Sequence, residues 1–336
     1  MSYPRTYGSW QRELATGIGS LLVLALLPYV VTDSYWRHVL IISFIFAVTC
    51  ASWDLTLGYG GIFNFGHLAF FGIGLYSYGI LTTGFAWSPW LAFGAAGLMS
   101  AFIAIIVTIP ILRLKGIYVV LVTFGFSQLV MQLIVSQPQL TGGPQGMIRL
   151  PNLPWWDHNF VRDGRFGHYY LAVVLLAVSI VALRVFVRSR SGMALVALRD
   201  SEEYAISRGI SLAKQRFLAL TVSAMIAGFA GAFYGSYLRT ASVEVFSMGF
   251  TSLILSAILL GGAGSVYGPV VAAFFPHCRV RVPDDDWRVA ADDNRRRHSR
   301  RHAGLSRRLG SCCRFGRQVA EAGIGQAGSE RKIGSY

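Results

Sequence analysis

Four uncharged polar residues lie within otherwise apolar runs of this sequence: Asn64 and His67, three apart, and Gln128 and Gln132, four apart. On helices, these spacings put each pair on one face. Hydrocarbon penalises such groups, so a polar face within an apolar run marks either interhelical hydrogen bonding or the wall of a translocation pathway, and the residues alone leave both open. Asp54 follows Trp53 near the end of an apolar run and reads as an interfacial residue.

A different kind of signal lies between Arg188 and Arg216, a basic and mostly polar stretch flanked by two long apolar runs. Met193 to Arg199 forms a short apolar helix candidate. A second helix is expected after it, with Asp200 as its cap, Glu203 reaching back in a capping-box arrangement, and Gly209 just past the last turn. Two short helices in such a loop suit a docking surface. An ordinary basic loop on the cytoplasmic side of a membrane has the same composition.

No catalytic constellation accompanies these residues. A Gly-x-x-x-x-Gly-Lys-Ser/Thr phosphate loop is missing, so the chain is not expected to bind or hydrolyse ATP itself. Gly261-Gly262-Ala263-Gly264-Ser265-Val266-Tyr267-Gly268-Pro269 lacks the lysine and sits between apolar runs, which suits a bend between membrane segments. Cys50, Cys278, Cys312 and Cys313 have neither metal-ligand spacing nor the pattern of a disulfide framework.

The elements that must position these residues follow from composition. The chain has 336 residues, 54% hydrophobic and 14% charged, with a mean hydropathy of +0.50, too apolar for one soluble core. It reads as an all-α, polytopic membrane helix bundle of about eight or nine spans. Those spans are expected at Ile18–Val31, Trp36–Leu57, Gly61–Leu81, Pro89–Leu112, Ile117–Val135, Tyr169–Val187, Phe217–Tyr237 and Phe250–Leu260, with a short final segment at Val266–Phe275. The longest intervening loop, Ser136 to His168, carries the helix-breaking Thr141-Gly142-Gly143-Pro144 and the pair Trp155-Trp156, which suits a membrane interface. Ala227, Gly231 and Gly235 recur every four residues and predict close helix packing. With the amino end cytoplasmic, Arg113/Lys115 and the 188–216 loop both fall on the cytoplasmic side.

The net charge of +14 does not point to nucleic acid, because the basic residues either lie between apolar runs or crowd into the tail. We divide the chain into a membrane domain, 1–275, and a basic tail, 276–336, holding Asp284-Asp285-Asp286 and Arg295-Arg296-Arg297. Without apolar periodicity the tail reads as disordered, and with little aromatic interleaving it does not suit base stacking.

Several stretches together carry a family resemblance. Ser52-Trp53-Asp54-Leu55, Leu57-Gly58-Tyr59-Gly60-Gly61 and Phe65-Gly66-His67-Leu68-Ala69-Phe70-Phe71-Gly72-Ile73-Gly74 resemble the early membrane segment of branched-chain amino-acid ABC transporter permeases. Leu114-Lys115-Gly116-Ile117-Tyr118, Leu140-Thr141-Gly142-Gly143, Ala197-Leu198-Arg199-Asp200-Ser201-Glu202 and the Leu260–Pro269 bend are similar to later landmarks in the same order. The likeness covers roughly 36–275 and is strongest to the M-type Liv permeases of the hydrophobic amino-acid uptake group. After Phe275 it ends, where the family continues with apolar helix. Such a switch suggests a reading-frame change in the gene or its sequencing.

The resemblance implies a subunit of a heteromeric importer in the bacterial inner membrane, surrounded by lipid. A second permease would complete the pathway, two cytoplasmic ATPases would bind the ATP, and a periplasmic binding protein would deliver leucine, isoleucine or valine. No cofactor, catalytic residue or metal site belongs to the permease itself. Glu203-Tyr204-Ala205 followed by Gly209 resembles the loop by which such permeases engage their ATPases, although Tyr204 replaces a usually small residue. This implies ATPase coupling through Arg199, Asp200, Glu202, Glu203, Ala205 and Gly209. Asn64, His67, Gln128 and Gln132 would then line the pathway, stabilising a zwitterion without trapping it, with Phe65, Phe70 and Phe71 beside its aliphatic group. Urea or short-amide permeases are close relatives, and an ion-coupled secondary carrier is the competing class. A carrier of that kind favours paired ionisable groups at mid-membrane, whereas these spans offer mainly amides and hydroxyls.

Overall fold

The computed structural model describes residues 28, 33–114, 116–154, 166–265 and 267–274. Apart from Pro28, the expected first span, 18–31, lies outside the described residues, as do Lys115, the Trp155-Trp156 pair, Val266 and the tail from 275 onward.

Among the described residues the chain is built almost entirely of helices. Helix α1 (Ser34–Asp54) begins where the Asp33 carboxylate accepts the Tyr35 amide at 3.0 Å, and it continues into a π-helical segment, Leu55–Tyr59. An irregular stretch leads to α2 (His67–Thr83), followed by α3 (Pro89–Ile111), with proline in its first turn, and α4 (Ile117–Ser136). A single turn, α5 (Pro138–Thr141), opens the long loop, and α6 (Phe166–Arg188) closes it. Two short helices come next, α7 (Arg190–Asp200) and α8 (Glu202–Ser207). Helix α9 (Leu212–Leu238) starts at Ser211, whose hydroxyl accepts the Lys214 amide, and α10 (Met248–Gly261) starts in the same way at Ser247. The last described helix is α11 (Tyr267–Ala272).

Five of these segments are long and apolar enough to cross a membrane: α1 with its π extension, α3, α4, α6 and α9. Helix α10 is apolar but shorter. The chain is a polytopic all-α membrane bundle in which α1 is the most enclosed span and α4 the least. One expected boundary moves. The third span does not start as helix at Gly61, because Gly61 takes φ +63° and the backbone becomes helical only at His67.

Close packing centres on α9 against α2 and α3. A Cβ added to Gly74 would strike the Gly228 backbone, and one added to Gly231 would strike the Phe71 carbonyl. The helices therefore touch backbone to backbone, as the Ala227, Gly231, Gly235 spacing predicts. Around this seam Phe44, Trp53, Phe71, Tyr78, Tyr169 and Phe233 are fully buried.

The two ends of the bundle differ. At one, Met147–Ile148 (β1) pairs antiparallel with Thr240–Ala241 (β2). There the Tyr78 hydroxyl donates to the Pro151 carbonyl at 2.7 Å, and the Leu153 amide donates to Ser236 Oγ at 2.8 Å. Gly142, Gly143 and Gly146 all have positive φ, as helix breaking at this loop predicts. At the other end, Ile62, Ile111, Val119 and Leu220 form a small apolar cluster with Leu114 against it. The turn holding Arg113 and the foot of α9, where the 188–216 segment ends, thus emerge on one side of the bundle, which the spacing of the two basic segments predicts.

Candidate functional site

The 188–216 segment folds as two short helices, as expected, but with a different joint. Ser189 caps α7 by accepting the Gly192 amide at 3.3 Å, and Leu195 and Leu198 bury its inner face. Asp200 does not cap α8. It ends α7, where its carboxylate takes the neighbouring Arg199 guanidinium at 3.0 Å, and the cap position falls to extended Ser201, with no side-chain cap bond from Glu203 or any other residue.

The far end of α8 matches expectation in detail. Gly209 has φ +81°, its amide donates to the Ile206 carbonyl at 2.9 Å, and the Ile210 amide donates to the Ala205 carbonyl at 3.1 Å. This is the paired Schellman bonding that a left-handed glycine permits. Ala205 is buried beneath the helix, while Glu203, Tyr204 and Ile206 are exposed. Glu202 turns back instead, its carboxylate pairing with Arg216 at 3.2 Å near the start of α9.

Arg199 also points inward. Its Nη1 donates to the Gly58 carbonyl at 2.5 Å, and its aliphatic stem lies over Gly61, where a Cβ would come within 2.8 Å of Cγ. Close by, Asp54 Oδ1 accepts the Gly264 amide at 2.8 Å. Asp54 is fully buried, which corrects the interfacial reading. The approach of the glycine bend to the π-helical segment encloses it, leaving Oδ2 without a hydrogen-bond partner.

The polar pairs do not assemble into one face. Asn64 precedes α2 in the irregular stretch and so does not share a helix face with His67. Its Oδ1 accepts the Gly66 amide at 2.9 Å, and its buried Nδ2 has no partner. His67 is fully buried, with Nε2 2.9 Å from Ser52 Oγ, Nδ1 3.4 Å from Ser223 Oγ, and its ring stacked on Trp53. Its hydrogen bonds therefore tie α2 to α1 and α9. Gln128 and Gln132 do lie one turn apart on α4, half-buried and exposed respectively. Phe70 and Phe71 are packed in the core, against Phe126 and Tyr234.

Residues 36–276 match the family model described as "Branched-chain amino acid transport system / permease component". The chain belongs to this permease family. It is 28% identical over 250 residues to the high-affinity branched-chain amino acid transport system permease protein LivM of Escherichia coli K12, and equally to that of Salmonella typhimurium LT2. Each alignment takes in 68% of this chain and 59% of the relative's length. No solved structure matches.

In this permease, sequence reasoning missed the inward course of Arg199, the burial of Asp54, and the two serines that hold His67. The available signal was glycine density: Gly58, Gly60, Gly61 and the Gly261–Gly264 bend leave room for another segment to approach. Glycines do not say which segment fills that room.

Proposed function

We propose that this chain is the membrane permease subunit of an ATP-driven importer of branched-chain amino acids in the bacterial inner membrane, with its amino terminus cytoplasmic. The observation that carries this reading is the family match across 36–276 together with the exposed face of α8, where Glu203, Tyr204 and Ile206 project from a helix fixed at both ends. That face is offered to one of two ATPase subunits, which bind the nucleotide, the permease having no ATP site of its own. Ala205, Glu202 and Gly209 set the helix on its support. Arg199 and Asp200 hold the end of α7.

A second permease completes the pathway, and a periplasmic binding protein supplies the substrate. Gln128 and Gln132 suit the wall of that pathway, because an exposed amide on a spanning helix is poorly placed against lipid. Asn64 and His67 are assigned to the same pathway at a deeper level, and the unpartnered Asn64 amide nitrogen leaves a donor for a substrate carboxylate. The test of the assembly is co-purification in mild detergent. Two ATPase subunits and one companion permease are expected to accompany the tagged chain. A chain that purifies alone, yet transports, would refute the reading.

A further inference from the structure

The end of α7, the π-helical end of α1 and the glycine bend after α10 meet at one place. Arg199 Nη1 donates to the Gly58 carbonyl, within the π-helical segment, at 2.5 Å across 141 residues of sequence. The Gly264 amide donates to Asp54 Oδ1 at 2.8 Å across 210. Gly58 and Gly264 approach so closely that a Cβ on Gly58 would overlap both the Gly264 amide and the Asp54 carboxylate. Gly61 is also closed, less tightly, by the Arg199 stem, whose Cγ would lie 2.8 Å from an added Cβ.

The π-helical segment is a wide turn that closes the end of α1. The Gly60 amide bonds five residues back to the Leu55 carbonyl at 3.1 Å, and the Ile62 amide bonds six back to Thr56 at 2.8 Å. Wide turns of this kind are rare and recur at functional sites. A change of register here would move Gly58, and with it the acceptor that Arg199 holds.

We propose that Arg199 is a positioning residue that transmits movement of the α7–α8 helix pair to the π-helical end of α1, with the Asp54–Gly264 bond carrying it on to the glycine bend. This rests on the coupling role proposed for the loop and changes Arg199's part in it. The guanidinium is directed into the bundle and acts on the membrane helices, while docking is left to Glu203, Tyr204 and Ile206. A fork with fixed donors suits transmission, since a planar guanidinium holds its acceptor in one direction where an ammonium swivels.

The test uses the complete transporter, purified with its own partner subunits and reconstituted in proteoliposomes. Co-purification, ATP hydrolysis and leucine uptake are measured for wild type, Arg199→Ala and Arg199→Lys. Arg199→Ala is expected to keep its ATPase subunits and hydrolyse within twofold of wild type, while uptake falls at least tenfold. Arg199→Lys is expected to hydrolyse normally with intermediate uptake, and it decides the matter alone if the alanine variant does not insert. Wild-type uptake in either inserted variant, or loss of uptake together with loss of the ATPase subunits, would overturn the proposal. Failure of the coupling reading is recognised separately, by wild-type transporter whose uptake does not depend on ATP.

Discussion

Arg216 reaches Glu202 at 3.2 Å, so the first residue of α8 is fastened to the foot of the spanning helix α9 fourteen residues later. Both side chains are partly shielded, and between them lie the six-residue helix, its glycine stop and the first turn of α9. The face carrying Glu203, Tyr204 and Ile206 is thereby held at a set distance from the membrane helices.

Glu202→Gln removes the charge pair and leaves a hydrogen-bonding amide. For a partly exposed pair the expected cost is about 1 kcal/mol or less. Hydrogen exchange at the Ala205 and Ile210 amides, both bonded within this helix, is expected to quicken by up to about fivefold. Unaltered exchange at both would mean that the pair does not order the helix.

Gly209 has open space around its Cα, so its requirement is purely conformational. Gly209→Ala is expected to cost about 1–2 kcal/mol through its left-handed backbone, whereas Gly209→Asn is better tolerated. Combined with Glu203→Gln, the alanine change is expected to uncouple uptake from ATP hydrolysis in protein that still reaches the membrane. Undiminished uptake by a stably inserted double variant would remove α8 from the coupling surface.

Gly231 lies against the Phe71 carbonyl with no room for a side chain. Gly231→Leu forces α9 and α2 apart, and overpacking of this kind costs about 1–3 kcal/mol or more. The expected result is a lower melting temperature in detergent and less assembled protein. A variant as stable as wild type would show that the seam is not tight.

The pathway assignment is tested by single cysteines at 64, 67, 128 and 132 in a cysteine-free background, labelled with small aqueous thiol reagents in intact membranes. Positions 128 and 132 are expected to react at rest, and 64 and 67 only during ATP turnover, because His67 is enclosed by Ser52, Ser223 and Trp53. Four silent positions in both conditions would assign all of them to packing.

Much of the architecture is legible in the sequence because membrane spans are written in local composition. The expected Ile117–Val135 and Phe217–Tyr237 lie within α4 and α9, and the Gly209 stop follows from one residue type at one position. The site is harder to read where its partners are remote. Asp54 looks like the end of a span until Gly264 is brought to it across 210 residues. Asp200 looks like a cap because nothing local shows that its exposed carboxylate pairs instead with the neighbouring Arg199, whose Nη1 turns inward to Gly58. Asn64 and His67 look like one helix face because a spacing of three is compatible with a helix, whereas after Gly61 at positive φ the helix starts only at His67, with Gly66 as its cap residue.

The most direct test of the permease reading is uptake of radiolabelled leucine by proteoliposomes holding this chain with its co-purified permease, ATPases and binding protein. Uptake is expected only with ATP and binding protein present, to be outcompeted by isoleucine and valine, and to be indifferent to urea or to an imposed ion gradient. Uptake driven by an ion gradient without ATP, or competition by urea but not by valine, would contradict it.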